Sequence, residues 1–419
     1  MMEKQLKILI NAYACSPDMG SEPGMAWNWC VYLAEHAELY IITEGEFHEK
    51  IEAAVPTLPQ GERMHFYYNP VSEEVRHMCW NQGDWRFYKY YKEWQWKTYL
   101  MAKDICAQEH IEVLHQLNMI GFREPGYLWR LSQETGIPFV WGPIGGLKQF
   151  PMRYADGGGW RMRLMMALKN GINILQLRYD HRVDAALCQA SLLISSIPDS
   201  YRAIKRHKGL ESVIIPETGC FPLDVQTTRA DRFQGKTLHV LWVGKFDFRK
   251  RLDIALWSIA TAANPNIVLS VYGTGTAQQV SAAKTLAEQL GISDQVEWKG
   301  NCPNSEVRQA MANADLFLFT SVSEDTSTVV LEAISTHLPV LCFDCCGMSA
   351  VIDEQVGAKI PLTTPSQSVR DFASQIEHLY NNRCELEQLS ANCPQRREEL
   401  SWSRKAETVA QYYKEIIEQ

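Results

Sequence analysis

The sequence predicts an α/β protein built as two doubly wound domains. Three observations point there. At 419 residues the chain exceeds what one ordinary core accommodates. Short apolar runs recur along it, separated by stretches of helical pattern, as expected for parallel strands joined by crossover helices. Several of those runs end in glycine-bearing loops, and the carboxyl edge of such a sheet is where open α/β folds bind small molecules.

The elements follow in order. The first half opens with an apolar strand at residues 6–10, then a loop, Cys15-Ser-Pro-Asp-Met-Gly-Ser-Glu-Pro-Gly24, and a helix over 25–35. Strands are expected at 39–43, 65–68, 111–115 and 138–141, with 192–196 closing this sheet. The second half repeats the logic with strands at 238–244, 266–273, 296–298, 316–321 and 338–343, and helices such as 277–290 between them. The turn Ile214-Ile-Pro-Glu-Thr-Gly219 marks the boundary. The expected domains are residues 1–213, joined by a C-terminal helix at 402–419, and residues 214–401. No repeat of 20–50 residues suggests a solenoid.

Composition narrows the function classes. Hydrophobic residues make up 46% and charged residues 21%, a globular balance. A net charge of -8 argues against a general nucleic-acid binder. Residues 1–5 lead directly into the first strand without a signal-peptide pattern, and no run approaches the ~18 apolar residues of a membrane span. The twelve cysteines are scattered and read as reduced thiols of a cytoplasmic protein, with adjacent Cys345 and Cys346 a poor zinc pair. No metal site is expected.

The most informative stretch is Ser323-Glu-Asp-Thr-Ser-Thr-Val-Val-Leu-Glu-Ala333. If a helix starts near Thr326, Glu332 projects from its second turn and Glu324 lies just ahead of its N-terminus. Both could then face one ligand, although acids before and within helices are also common as caps and solvated faces. Gly244-Lys-Phe-Asp-Phe-Arg-Lys-Arg251 follows a strand and opens a helix, which suits phosphate through free N–H groups, the dipole and the charges of Lys245 and Lys250. A solvated basic turn is the plainer alternative. Gly273-Thr-Gly275 ends the next strand and permits either a sharp turn or a close ligand approach. Cys345-Cys-Gly347 could supply backbone donors or merely turn the chain.

Taken together, these motifs resemble the donor domain of the family-four retaining glycosyltransferases (glycosyl transferases group 1), which have the GT-B fold: two Rossmann-like domains facing an interdomain cleft. Gly244, Lys245 and Lys250 match the family's Gly-Arg/Lys and following Lys. Gly273 and Gly275 match its Gly-x-Gly loop, and Glu324 and Glu332 its Glu-x7-Glu element. Residues 326–333 fit its small-residue helix start, and Ile215-Pro-Glu-Thr-Gly219 resembles its Ile-Pro-Asn-Gly turn without the Asn. The resemblance spans residues 192–402 and implies a nucleotide diphosphate sugar donor, UDP- or GDP-linked. It implies that Lys245 and Lys250 hold the diphosphate, Glu332 the ribose hydroxyls, and Glu324 the donor sugar. Thr326 and Ser327 would contribute at the helix start, and Gly24 would approach the donor phosphate. Lys245 replaces the commoner Arg and lacks its bidentate fork. The basic pair makes a divalent cation unnecessary, so no cofactor is expected beyond the donor itself.

The first half is less readable. The family's Asp-Val-x-His-x-His stretch is here Glu112-Val-Leu-His-Gln-Leu117, so His115 matches the first His, and Leu117 stands where the second would be. Asn118 and Arg123 are candidate substitutes. Gly142-Pro-Ile-Gly-Gly146 either lines the cleft or makes a tight turn. The aromatic run over residues 80–99 reads chiefly as helix core, with sugar or membrane contact as the alternative. The basic and apolar residues of 161–169, with Arg178 and Arg182 beyond, suit either a membrane surface or a helix packed on the sheet with snorkelling basic ends.

The expectation is thus a retaining glycosyltransferase, cytoplasmic and peripheral on the inner face of the membrane. Its acceptor would be a glycan or lipid-linked, in surface polysaccharide or glycoconjugate synthesis. A non-hydrolysing nucleotide-sugar epimerase and a non-catalytic nucleotide-sugar-binding protein are the alternatives.

Overall fold

The computed structural model describes residues 5–81, 84–222, 225, 227–229 and 232–418. The chain divides into two units, Met1–Leu147 with Ile172–Glu217 and Trp402–Gln419, and Lys148–Gly171 with Thr218–Ser401. Residues 1–4 of the expected first domain lie outside the described residues.

The first unit holds seven strands: β1 (Leu6–Ala12), β2 (Ala37–Thr43), β3 (Met64–Tyr68), β4 (Val113–Asn118), β5 (Phe139–Ile144), β6 (Leu192–Ser195) and β7 (Val213–Ile214). Their order is β3-β2-β1-β4-β5-β6-β7, and every pairing is parallel. The central strand β1 shows why it reads as an unbroken apolar run. Ile8, Leu9 and Ile10 are all buried, so both faces of the sheet are covered. The sheet does not close at residues 192–196 as expected. Two-residue β7 extends it, too short to leave a periodic signal.

Two helices cover part of this sheet. One runs over Ser21–Leu33, starting four residues earlier than expected. The other, Trp402–Glu418, buries Trp402, Ala406, Val409 and Tyr413 at helical spacing. Trp402 meets Trp29 of the first helix edge-to-face, with centroids 5.9 Å apart. The Lys405 ammonium donates to the Pro216 carbonyl at 3.1 Å.

The second unit holds β8 (Leu238–Val243), β9 (Ile267–Tyr272), β10 (Val296–Gly300), β11 (Leu316–Phe319), β12 (Val340–Phe343) and β13 (Gly357–Ile360). The order is β10-β9-β8-β11-β12-β13, again parallel throughout. Sequence order reverses between β8 and β11, and such a switch point opens a crevice at the carboxyl ends of the two strands. The edge strand β13 escapes the sequence reading because Gly357 and Lys359 interrupt its apolar pattern.

The segment Lys148–Gly171 departs from the expected boundary at residue 213 by grouping with the second unit. Packing explains this. Phe150, Tyr154 and Ala155 are buried in that unit's core. The Tyr154 hydroxyl lies 2.7 Å from that of Ser368 and accepts the Thr363 N–H at 3.0 Å. The buried Arg251 guanidinium donates to the Tyr154 carbonyl at 2.9 Å and to Asp156 at 2.8 Å. The helix Gly159–Tyr179 then carries the chain back to the first unit.

Candidate functional site

The switch point of the second sheet gathers most of the residues singled out in that half. The loop after β8 is shaped by glycine. A Cβ on Gly273 would sit 1.9 Å from the Gly244 carbonyl oxygen, and Gly273 has φ +128. Only glycine lets the β9 loop lie on the β8 loop this closely. The Gly244 N–H bonds the Tyr272 carbonyl at 2.9 Å, and the Phe246 N–H bonds that of Thr274 at 3.0 Å. A Cβ on Gly275 would fall 2.8 Å from that of Phe246. These glycines therefore serve backbone-to-backbone packing that holds the basic loop in place.

That loop carries Lys245, exposed, and Lys250, half-buried. The loop is tied down from β11: the Thr320 hydroxyl donates to the Lys250 carbonyl at 2.8 Å, and the Val322 N–H to the Arg249 carbonyl at 2.9 Å. The same bonds bring the two motifs together. The Lys250 ammonium lies 2.8 Å from a Glu324 carboxylate oxygen, which also accepts from the Ser321 hydroxyl at 3.1 Å. Lys250 sits over the Phe319 ring at 5.2 Å.

Next along, the Lys148 ammonium lies 2.7 Å from Asp325. Burial works against the charged form of Lys148, yet Asp325 outweighs it, and the lysine pKa is raised. The loop after β12 seals this wall. A Cβ on Gly347 would lie 2.7 Å from the Asp325 carbonyl oxygen, and the Glu324 N–H approaches the Cys346 thiol at 3.5 Å.

The helix that follows begins at Thr328, two residues later than expected, and ends at Ser335. Thr326 and Ser327 are buried ahead of it, with Ser327 at the cap position and no side-chain cap bond. Its first N–H groups have no intrahelical acceptor, as in any first turn. Glu332 projects from the second turn, where Arg308 clamps one oxygen through Nη2 at 2.9 Å and Nε at 3.1 Å. Lys148 and Arg308 escaped the sequence reading. Each is a single basic residue far along the chain from its acid, with no spacing that ties them.

The first unit places its candidates differently. Gly24 is buried inside the Ser21–Leu33 helix, where a Cβ would lie 1.7 Å from the Met19 carbonyl oxygen. The close approach it permits is to its own loop. His115 is fully buried; its Nε2 faces the Gly142 carbonyl at 2.7 Å and its Nδ1 the Tyr413 hydroxyl at 2.5 Å. Those partners fit a neutral ring protonated at Nε2, and burial pushes its pKa down to about 4. Leu117 is buried in the core. Asn118 donates to the Ala14 carbonyl at 2.8 Å, while Arg123 bonds Asn173. Gly142 lies within β5, where a Cβ would meet the Ile194 carbonyl oxygen at 2.3 Å.

The aromatic run divides. Phe87, Tyr91, Trp94 and Tyr99 are buried, whereas Trp80, Trp85, Tyr88 and Trp96 are exposed. Arg182 does not snorkel to solvent; it is buried and forms a two-pronged pair with Glu124 at 2.8 and 3.0 Å.

Among the described residues, no group of three His, Cys, Asp or Glu side chains could hold a metal ion. Cys342 and Cys345 have the spacing of a Cys-x-x-Cys pair; both are buried, and burial pushes the Cys342 thiol well up.

Two doubly wound sheets, the second with paired lysines and acids at its switch point, define a two-domain α/β protein of the GT-B class. Residues 226–396 match the family described as "Glycosyl transferases group 1", so the second unit carries a domain of that family. Over 188 residues the chain is 26% identical to a D-inositol 3-phosphate glycosyltransferase of Streptomyces bingchenggensis, covering 42% of this chain and 40% of that one. Over 116 residues it is 34% identical to the lipopolysaccharide glucosyltransferase WaaG of Escherichia coli, covering 27% and 30%. The chain thus aligns with well under half the length of these curated relatives. The fold likeness is broader. The structure of Alr3699/HepE from Anabaena in complex with UDP superposes with a TM-score of 0.60 at 14% identity, covering 98% of this chain and 100% of that one.

Proposed function

We propose that this protein is a retaining glycosyltransferase that moves a sugar from a nucleoside diphosphate sugar to an acceptor hydroxyl. The observation that carries the reading is the Lys250–Glu324 pair at the switch point of a group 1 domain. Lys250 and Glu324 hold each other's charge. A diphosphate entering there would compete with Glu324 for Lys250, and Lys245 on the same loop would supply a second charge. The two ammonium groups would offset charge on the leaving diphosphate as it develops. Glu324, released from Lys250, would accept hydrogen bonds from donor-sugar hydroxyls and fix the sugar's position. Thr326, Ser327 and the first amides of the Thr328–Ser335 helix would bind the same sugar or the phosphate. Glu332, oriented by Arg308, would accept from the two ribose hydroxyls.

In the transfer, the bond between the anomeric carbon and the phosphate oxygen breaks as the acceptor oxygen bonds the same carbon on the same face. The acceptor's proton passes to the departing phosphate oxygen, and the nucleoside diphosphate leaves. No carboxylate nucleophile is required. The lysines do the work of a divalent cation in this scheme, so the proposal includes no metal and no further cofactor.

The UDP-bound structural relative makes a UDP-sugar the first donor to try, with GDP-sugars beside it. The lipopolysaccharide relative, and a teichuronic acid biosynthesis relative from Bacillus subtilis, favour a glycan or lipid-linked acceptor of surface polysaccharide synthesis. The proposed setting is the cytoplasm, at the inner face of a membrane. Thermal-shift titration with a panel of nucleoside diphosphates and their sugars tests the donor site. UDP or GDP compounds should raise the midpoint, and Lys250→Ala should abolish most transfer while leaving the unliganded midpoint in place. Full transfer by that variant would overturn the phosphate assignment.

A further inference from the structure

The helix Gly159–Tyr179 stands out among the described residues. Trp160, Leu164, Leu168, Ile172, Leu175 and Tyr179 recur at steps of three or four, hence on one face, and are between 54% and 74% exposed. Asn173 and Leu177 on the opposite side are buried, and Met162 and Met166 are partly so. The helix is therefore packed on one side and presents a continuous apolar stripe on the other. A stripe of this kind is not an ordinary scatter of surface apolar residues.

Charge selects the occupant. The helix contains no Asp or Glu and four basic residues, Arg161, Arg163, Lys169 and Arg178, within a chain of net charge -8. All four are exposed. Lys169 and Arg178 fall at the two margins of the stripe on a helical projection, and the Arg161 guanidinium lies 5.5 Å from the Trp160 ring centroid. The stripe includes the exposed aromatic residues Trp160 and Tyr179, whose amphipathic rings favour the boundary between lipid headgroups and acyl chains. A protein groove would accept the apolar stripe equally well but gives no reason for a helix of one sign of charge. No helix among the described residues is long and apolar enough to cross a membrane, which leaves a helix lying in the surface plane.

We propose that this helix docks the protein on an anionic lipid bilayer, with the stripe sunk among the acyl-chain roots and the basic residues on the headgroups. This extends the peripheral-membrane part of the functional reading, yet rests on the helix alone and not on the donor site.

The test is cosedimentation of the full chain with vesicles of phosphatidylglycerol and phosphatidylcholine, against phosphatidylcholine alone. Binding should favour the anionic vesicles and weaken with salt. Leu164→Glu, Leu168→Glu and Ile172→Glu combined should weaken binding more than about tenfold. Arg161→Ala and Lys169→Ala should each weaken it roughly fivefold and flatten the salt dependence. This second set leaves the apolar stripe intact and keeps the test open should the glutamate variant fold poorly. Loss of the nucleotide-induced thermal shift with vesicle binding intact would end the donor-site reading and leave this one standing. Three results would overturn the proposal: no binding of the wild type to anionic vesicles, unchanged binding of the glutamate variant, or a lipid-free wild-type dimer that the glutamate variant converts to monomer. The last would assign the stripe to a second copy of the chain.

Discussion

His115 shows how a residue of useful chemistry can be committed to structure. Its ring is enclosed between the Gly142 carbonyl and the Tyr413 hydroxyl and has its pKa pushed down to about 4 by burial. The sign of the pH effect follows. Above about 6.5 the ring is neutral both folded and unfolded, and it adds no pH dependence. As pH falls from there, the unfolded chain takes up a proton that the folded chain refuses until about pH 4, so stability declines across that window and then levels. His115→Gln should flatten this decline between pH 6.5 and 4, read as the difference between two series of thermal midpoints. Glu332 and Arg308 give a contrasting case. Their pair is partly exposed, and such bridges are worth about 0–1 kcal/mol. Arg308→Ala should therefore leave the unliganded midpoint nearly unchanged, while Glu332→Ala should weaken nucleotide binding about tenfold or more in a calorimetric titration. The two Glu-x7-Glu acids were legible because their spacing belongs to one short segment. Lys148 and Arg308 were not, because an ion pair between distant segments has no local pattern to betray it.

At the scale of elements, the loops at the carboxyl ends of the second sheet touch in series: the β9 loop lies on the β8 loop at Gly273, the β8 loop is bonded to the β11 loop through Thr320 and Val322, and the β12 loop lies on the β11 loop at Gly347. Gly273 is the most constrained, with its would-be Cβ pressed on the Gly244 carbonyl in a backbone conformation that side chains rarely adopt. Gly273→Ala should lower stability by roughly 1–3 kcal/mol and shift the lysine loop. The expected readout is a lowered midpoint together with a nucleotide shift smaller than the wild type's. A fully wild-type nucleotide response would show that the β9 loop does not set the position of Lys245 and Lys250. Long parallel strands were legible as apolar runs, whereas β7 and β13 were too short or too interrupted. The start of the helix at Thr328 was missed because Thr326 and Ser327 suit a helix start as well as a cap.

For the whole molecule, the proposed absence of a metal has a direct consequence: transfer should proceed at an unchanged rate in excess EDTA, measured as nucleotide release. A large loss restored by magnesium or manganese would replace the lysines' proposed role. The C-terminal helix is expected to be indispensable. Ending the chain at residue 401 would remove Trp402, Val409 and Tyr413 from the first unit's core and leave His115 without its hydroxyl partner. Such a chain should be recovered mainly as aggregate or be rapidly cleaved by protease, and wild-type solubility would contradict that role. The two-domain architecture was legible from alternating strand and helix patterns. The exact membership of each unit was not, since the polar and glycine-rich stretch around residues 148–158 carries its few anchoring side chains, Phe150 and Tyr154, without periodicity.

That membership bears on how such a protein can be recombined. The second unit is made from two separate stretches, Lys148–Gly171 and Thr218–Ser401, with first-unit sequence between and after them. A crossover that imported residues 218–401 from a relative would graft a foreign sheet onto a native segment whose Tyr154, Phe150 and Lys148 were fitted to another core. Productive chimeras should need both blocks from the same parent, so exchange of the second unit between lineages by a single gene-conversion tract would be disfavoured, and point substitution within the loops would be the easier route to a changed ligand preference.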